Sequence, residues 1–153
     1  GVYERPLVEK VANTLAALGG VRQAMVVCSG DGMDELSIFA PNYAAYVKAG
    51  RVDYAVIDAH DYGLGDSDAS ALLADSADES AACVLGVLRG EGGARRKTVL
   101  LNAAAAFQVY GRVATLAEGV QLAQQSIDSG AALAKLSQLK AFTQREAGDM
   151  LAC

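Results

Sequence analysis

Apolar and polar positions divide the first third of the chain into one helix and several short strands. After Pro6, apolar residues recur at intervals of three and four, which predicts an amphipathic helix ending at Gly19-Gly20. Residues 23–28 form a nearly continuous apolar run, typical of a buried and parallel strand. Residues 43–47 and 52–57 flank a glycine-containing link and predict a β-hairpin. Because residues 43–47 include two alanines, a helix stays open as an alternative there.

The remaining part of the chain has helical periodicity. A short helix is predicted to end at Leu72-Leu73, and the next one to begin at an N-cap formed by Ser76 or Asp78. The inward side of that second helix is expected to carry Cys83, Val84, Val87 and Leu88. The chain starts with a helix, a glycine turn and a buried strand, and its C-terminal half is rich in helices. This order indicates an α/β fold.

Residues 94–110 predict a long helix that is apolar nearly all round and therefore buried. Asn102 lies inside it, so its amide is expected to bridge structural elements by hydrogen bonds. Thr115 and Glu118 have the spacing of a capping box, which predicts the start of the next helix. A last helix is expected from residue 131 to about 142, and the tail 143–153 is expected to fray.

Composition narrows the classes of function. The chain has 153 residues, which favours one domain, and its formal net charge is −5. An acidic protein argues against nucleic acid or an anionic membrane as the main partner. No apolar stretch reaches the length of a membrane span. The three widely spaced cysteines show no CxxC pattern, which favours a reducing, cytoplasmic location.

The candidate chemistry lies in the stretch Asp31-Gly32-Met33-Asp34-Glu35. It follows the apolar run 24–28 and precedes a second apolar run, 36–40, for which a short extended piece is expected. A carboxylate-rich loop between two strands suits a hard cation such as Mg²⁺. Acidic residues beside glycine also form ordinary turns and helix caps, and the residues alone leave both interpretations open.

Other polar residues receive structural interpretations. His60, the only histidine, is expected in a surface turn because no nucleophile accompanies it. The aspartates of residues 58–68 lack the ligand spacing of a calcium loop. Arg95-Arg96-Lys97 is expected to be a solvated helix start. Cys28 and Cys83 lie in apolar runs and are expected to pack as small hydrophobic residues.

Several stretches together resemble anthranilate phosphoribosyltransferase. Residues 29–37 with Ala40-Pro41 resemble the acidic metal loop of that family, and residues 50–64 resemble the hairpin and turn that follow it. Residues 99–106 and 127–130 resemble its C-terminal helices. The resemblance covers nearly the whole chain and keeps the order and spacing of these stretches.

The resemblance implies a C-terminal portion of a phosphoribosyltransferase-like α/β domain over residues 1–153, with a mixed sheet flanked by helices. It implies transfer of a phosphoribosyl group from phosphoribosyl pyrophosphate to anthranilate in tryptophan synthesis, with Mg²⁺ required and a homodimer as the full protein. Asp34 and Glu35 match the family's adjacent acidic pair that binds Mg²⁺ on the pyrophosphate. We expect the isolated chain to be inactive, since the family's glycine-rich phosphate loop and anthranilate-binding region belong to an N-terminal half absent here.

Some positions depart from the family pattern. Cys28 stands where the family often has histidine, Ala74-Asp75-Ser76 replaces a glycine-rich start, and Ser80 replaces an asparagine. These changes leave two alternatives open: a non-catalytic binding module of the same fold, and a relative of pyrimidine nucleoside phosphorylase. The adjacent Asp34-Glu35 pair favours the transferase over the phosphorylase, since phosphorolysis does not need a metal-held pyrophosphate.

Overall fold

A computed structural model of the chain describes residues 1–144, and the predicted fraying of the tail falls almost wholly outside them. The elements in order are α1 (Arg5–Ala17), β1 (Gln23–Ser29), β2 (Asn42–Lys48), β3 (Arg51–Ile57), α2 (Ala77–Leu88), α3 (Ala94–Tyr110), α4 (Leu116–Asp128) and α5 (Ala131–Thr143). Two 3₁₀ turns, Ala59–Tyr62 and Ala69–Leu72, join the sheet to the helices. The α/β class and the helix-rich C-terminal half are confirmed.

The three strands form one sheet in the order β1-β2-β3, and both pairings are antiparallel. The expectation of a parallel β1 is therefore wrong for its pairing with β2. The physical reason is the connection: residues 30–41 contain no helix that could carry the chain back for parallel pairing. These residues also contain no strand, so the extended piece expected at 36–40 is a loop.

The predicted hairpin is confirmed, and its turn explains the register of β2 with β3. Ala49 and Gly50 both have positive φ, of 49° and 77°, as a two-residue type I′ turn requires. Lys48 and Arg51 close the turn as paired residues, and Asn42 pairs with Ile57 at the other end.

Two apolar clusters cover opposite faces of the sheet. On one face, α1 packs Val8 and Ala12 against Val26, Ala45 and Val47. On the other face, α3 and α4 bury a larger core around Leu101, Ala104 and Val120, which also takes the side chains of Leu36 and Ile38 from the loop after β1. The backbone of that loop is thereby fixed to the helical half of the molecule.

The predicted helix caps are confirmed in the helical half, but the predicted inward side of α2 is confirmed only in part. The Ser76 hydroxyl caps α2, and Thr115 with Glu118 forms the predicted capping box of α4. On α2, Val87 is buried but Val84 is exposed, so that side of the helix is only partly inward. Close packing joins α3 to α4, since a Cβ on Gly119 would lie 2.8 Å from the Ala104 backbone. Within residues 1–144, none of the helices has the length and apolar character needed to cross a bilayer.

Candidate metal centre

The acidic loop begins with a tight turn at the end of β1. The Ser29 N–H donates to Met33 O at 3.1 Å, and the Gly30 N–H donates to Pro41 O at 2.8 Å. Gly32 has a φ of 87°, a backbone conformation that glycine adopts without steric cost. These bonds bring both ends of the loop together at the same end of the sheet.

Asp31 is a structural member of this loop. Its carboxylate accepts hydrogen bonds from the hydroxyls of Ser29 and Ser37, the latter at 2.5 Å. Partial burial raises the pKa of the Asp31 carboxyl, but the hydrogen bonds from Ser29 and Ser37 outweigh burial and lower the pKa below its usual value. Asp31 therefore fastens the start of the loop to its middle.

Asn42 fixes the second half of the loop from inside the protein. Its side chain is fully buried and its Oδ1 accepts from the Ser37 N–H at 2.7 Å. Its Nδ2 donates to the carbonyl oxygens of Ser37, Ala40 and Ile57. One amide thus satisfies backbone groups of the loop and of β3 that are otherwise buried without partners.

Asn102 of α3 holds the loop from the helical side. Its Oδ1 accepts from the Leu36 N–H at 3.0 Å, while its Nδ2 donates to Leu36 O at 2.8 Å and to Thr98 O at 3.0 Å. The prediction that Asn102 bridges structural elements is confirmed. Asn102 and Asn42 together fix the two residues that follow the acidic pair.

Asp34 and Glu35 are both exposed. Neither carboxylate makes a hydrogen bond or an ion pair with another residue of the described part, 1–144. Their backbone lies between Met33, which is bonded to Ser29, and Leu36, which is bonded to Asn102. The loop therefore presents two adjacent anionic groups on a fixed backbone.

Two adjacent carboxylates are a donor type that a hard cation shared with an anionic ligand can use. Within residues 1–144, no cluster of three or more His, Cys, Asp and Glu side chains is arranged to hold a metal ion. Mg²⁺ in proteins commonly binds one or two carboxylates and completes its shell with waters and substrate phosphates. A pair of free carboxylates matches that donor set.

The histidine and the cysteines at positions 28 and 83 lie in surroundings that indicate structural roles. The exposed His60 ring lies in a turn with its Nδ1 2.8 Å from Asp58 Oδ1, as the surface-turn interpretation requires. Cys28 is buried, and burial together with the charges of Asp31 and Glu4 raises the pKa of its thiol. It therefore stays protonated and packs as a small hydrophobic residue, as predicted. Cys83 is half-buried.

The prediction of a solvated Arg95-Arg96-Lys97 is wrong. Arg95 donates to Leu73 O at 2.7 Å, and Arg96 pairs with Asp128 at 2.7 Å. Lys97 Nζ donates to Gly65 O at 3.1 Å and pairs with Asp66 at 3.0 Å. The three side chains are partly buried because they fasten neighbouring segments to the start of α3.

Sequence reasoning missed Ser29, Ser37 and Asn42. All three are buried polar residues beside apolar runs. The signal that could have found Ser29 and Asn42 is their position, since a polar side chain at the end of a buried strand needs a hydrogen-bonding partner nearby. Ser37 lies in the loop between the buried residues Leu36 and Ile38, where the same need applies.

Comparisons with known proteins identify the family of the chain. The family described as "Glycosyl transferase family, a/b domain" matches residues 1–133. The chain therefore belongs to this glycosyl transferase family. It is 42% identical over 144 residues to the anthranilate phosphoribosyltransferase of Methylobacillus flagellatus, covering 94% of this chain and 42% of that protein. It is 43% identical over 145 residues to the enzyme of the same name from Symbiobacterium thermophilum, covering 95% and 42%.

Solved structures show the same fold. The crystal structure of anthranilate phosphoribosyltransferase from Thermus thermophilus matches with a TM-score of 0.83 at 30% identity, over 95% of this chain and 42% of that one. The Saccharomyces cerevisiae enzyme, in complex with PRPP and Mg, matches with a TM-score of 0.80 at 22% identity, over 90% and 40%. The chain thus spans well under half the length of the curated relatives it matches.

Proposed function

We propose that this chain is the part of an anthranilate phosphoribosyltransferase that holds Mg²⁺ on the pyrophosphate of phosphoribosyl pyrophosphate. Asp34 and Glu35 are the proposed ligands, and anthranilate is the proposed acceptor. Support comes from relatives at 42% and 43% identity that carry this activity in their names.

The observation that carries the proposal is the contrast inside one loop. Asp31 uses its carboxylate for internal hydrogen bonds, whereas Asp34 and Glu35 leave theirs free toward solvent. The backbone next to this pair is fixed by Asn102 at Leu36 and by Asn42 at Ser37, and neither bond uses the two carboxylates. A fixed main chain lowers the conformational entropy that the loop loses on binding a cation.

The chemistry of phosphoribosyl transfer explains why such a pair is useful. When the bond between C1 of ribose and the pyrophosphate oxygen breaks, negative charge develops on the leaving pyrophosphate. A cation beside that charge stabilises the transition state. Asp34 and Glu35 would hold the cation through their carboxylate oxygens and so orient it beside the pyrophosphate.

The direct test is a calorimetric titration of the chain with Mg²⁺ in the presence of pyrophosphate. We expect D34N/E35Q to weaken the affinity by about tenfold or more, which corresponds to about 1.4 kcal/mol. The matched control is D78N/E79Q, an exposed acidic pair at the start of α2 with the same change in charge. Equal affinities in the wild type and D34N/E35Q would contradict the proposed metal role.

The isolated chain is expected to bind Mg²⁺ with pyrophosphate but not to catalyse phosphoribosyl transfer. Catalysis requires that the donor sugar and the acceptor amine be positioned together, and loss of such positioning costs many powers of ten in rate. Mg²⁺-dependent consumption of anthranilate by this chain alone would overturn that expectation.

For the full enzyme we propose a homodimer in the cytoplasm. Sedimentation of the full-length protein tests the dimer.

A further inference from the structure

The outer edge of β3 carries unpaired backbone groups. Lys48 and Arg51 flank the two-residue turn, so they exchange backbone hydrogen bonds as the closing pair of the hairpin. Hydrogen-bonded pairs alternate along an antiparallel ladder, which directs the N–H and C=O groups of Val52, Tyr54 and Val56 away from β2. Within residues 1–144, no second strand lies on this side of β3, and no other hydrogen bond occupies these groups.

The side chains of the same three residues, Val52, Tyr54 and Val56, form an apolar strip on one face of the sheet. Val52 packs against the apolar cluster beneath α1, and the other two follow on that face because side chains alternate along a strand. Tyr54 is 58% exposed and Val56 is 64% exposed, since α1 lies over β1 and β2 and covers β3 only in part. Beside them lies a groove of about 660 Å³, whose walls include Val8 and Tyr43. The apolar strip is therefore open to solvent along the free edge of the sheet.

The strand β3 lacks the features that commonly protect a sheet edge from added strands. Proteins protect such edges with proline, with a bulge or with charged side chains along the edge. No proline occurs in β3, and its residues pair one to one with those of β2, so it has no bulge. Its charged residues, Arg51 and Asp53, lie on the face opposite the apolar strip. Free backbone groups and exposed apolar side chains together make this edge a surface for strand addition.

We propose that β3 pairs with β3 of a second copy of this chain and so forms a two-fold symmetric dimer. The occupant is argued from self-complementarity, because a two-fold interface requires that a surface match its own copy. Antiparallel pairing centred on Tyr54 places Tyr54 opposite Tyr54 of the second copy, and Val52 opposite Val56 of the second copy. Only this register joins the outward backbone groups of all three residues in both copies, since any shift of the centre leaves at least one of them unpaired. The proposal goes beyond the proposed function and does not rest on the metal role of the acidic loop.

The charges of β3 are compatible with this register. Asp53 lies opposite Ala55 of the second copy, and Arg51 lies opposite Ile57 of the second copy, so no two like charges face each other directly. The two-fold axis is perpendicular to the sheet, and the strands of both copies therefore continue as one sheet with both apolar strips on the same face. Contact between the two strips removes apolar surface from water, which stabilises the dimer together with the new backbone hydrogen bonds.

Sedimentation velocity of this chain over a range of concentrations is the first measurement, and we expect a reversible equilibrium between monomer and dimer. Hydrogen exchange at the same concentrations is the second. Exchange of the Val52, Tyr54 and Val56 amides should slow at least about tenfold as the dimer forms, because these N–H groups become bonded. The amides of Asp53 and Ala55 are already bonded to β2 and should be protected at every concentration.

Two variants locate the contact. Tyr54→Pro removes an N–H that β2 does not use, and proline is tolerated where the N–H of an edge strand faces solvent. Val56→Lys places a charge on the apolar strip. Each should weaken the dimer by about tenfold or more. Val84→Lys makes the same change at an exposed position of α2 and should leave dimerisation unchanged, and slow exchange at the buried Leu101 identifies the variants that are folded.

Three results would overturn the proposal. The first is a chain that stays monomeric at all concentrations. The second is a dimer in which the amides of Val52, Tyr54 and Val56 exchange as fast as in the monomer, which would exclude β3 as the contact. The third is a dimer of unchanged affinity in the folded Tyr54→Pro and Val56→Lys variants.

Discussion

Two acid-rich loops of this protein use their carboxylates differently. In residues 58–68, Asp58 accepts from the His60 backbone and ring, Asp66 pairs with Lys97, and Asp68 caps the Ser70 N–H. In residues 31–35 only Asp31 is used in this way, while Asp34 and Glu35 remain free. Acidic composition is common to both loops, and Asp61 in residues 58–68 is also an exposed carboxylate. What distinguishes the candidate metal centre is that its two carboxylates without internal partners are adjacent in the chain.

The backbone of the two loops also differs in what fixes it. Residues 36 and 37 are held by side chains of Asn102 and Asn42, which come from distant parts of the chain. The loop 58–68 is organised by its own aspartates at Asp58 and Asp68, while Lys97 of α3 holds it at Gly65 and Asp66. A ligand that binds Asp34 and Glu35 meets a prepared arrangement, whereas binding to Asp58 or Asp68 would first break local bonds.

The largest loss of stability is expected from Asn42→Ala. This change leaves buried backbone groups of Ser37 and Ile57 without partners, and we expect a loss of about 2–4 kcal/mol in the free energy of unfolding. Urea unfolding measures it. Asn13→Ala, at an exposed position of α1, is the control and should change stability little. Equal effects of both substitutions would contradict the role assigned to Asn42.

Asn102→Ala should lower stability less than Asn42→Ala does, but it should also loosen the backbone next to Asp34 and Glu35. The Leu36 backbone loses both of its bonds to this amide, and we expect a loss of about 1–3 kcal/mol in stability. Hydrogen exchange at the Leu36 amide should become faster, and the affinity for Mg²⁺ with pyrophosphate should fall. Unchanged exchange at Leu36 would show that Asn102 does not hold the loop.

Asp31→Asn should lower stability in a manner that depends on pH. The pKa of Asp31 is lowered in the folded protein from an ordinary 3.8, so its ionised form stabilises the fold above that value. The difference in unfolding free energy between wild type and variant should therefore be largest near neutral pH and should shrink as the pH falls below 3.8. Urea titrations across this range measure the difference, and a constant difference would contradict the assignment.

The smallest effect on metal binding is expected in the other loop. D66N/D68N removes two carboxylates that already serve Lys97 and Ser70, so the affinity for Mg²⁺ with pyrophosphate should stay unchanged. Calorimetry under the conditions used for D34N/E35Q provides the comparison. A loss equal to that of D34N/E35Q would mean that the two loops do not differ in function.

The sequence predicted elements and local caps well, because these depend on neighbours in the chain. Periodicity found α3, turn chemistry found the hairpin, and spacing found the Thr115–Glu118 box. It failed for the partner of β1, since strand direction depends on the whole connection and not on the apolar run. It also failed for Arg96 and Lys97, whose partners Asp128 and Asp66 lie about thirty residues away.

For the candidate site, the sequence identified the acidic residues but could not separate the carboxylate that forms internal hydrogen bonds from those that are free. Asp31, Asp34 and Glu35 have similar local surroundings in the chain, and only the folded loop brings Ser37 to Asp31. The partners of Asn42 and Asn102 likewise became visible only through packing. Resemblance to a family assigned Asp34 and Glu35, and the structure adds a physical reason to separate them from Asp31.

The central claim is most directly tested by placing Mn²⁺ in the site as a paramagnetic substitute for Mg²⁺. With pyrophosphate present, the account predicts that NMR signals of the amides at residues 33–36 broaden first, while those at 58–68 remain sharp. D34N/E35Q should abolish the broadening. Equal broadening of both loops, or broadening at residues 33–36 that persists in D34N/E35Q, would contradict the claim that these two free carboxylates form the metal centre.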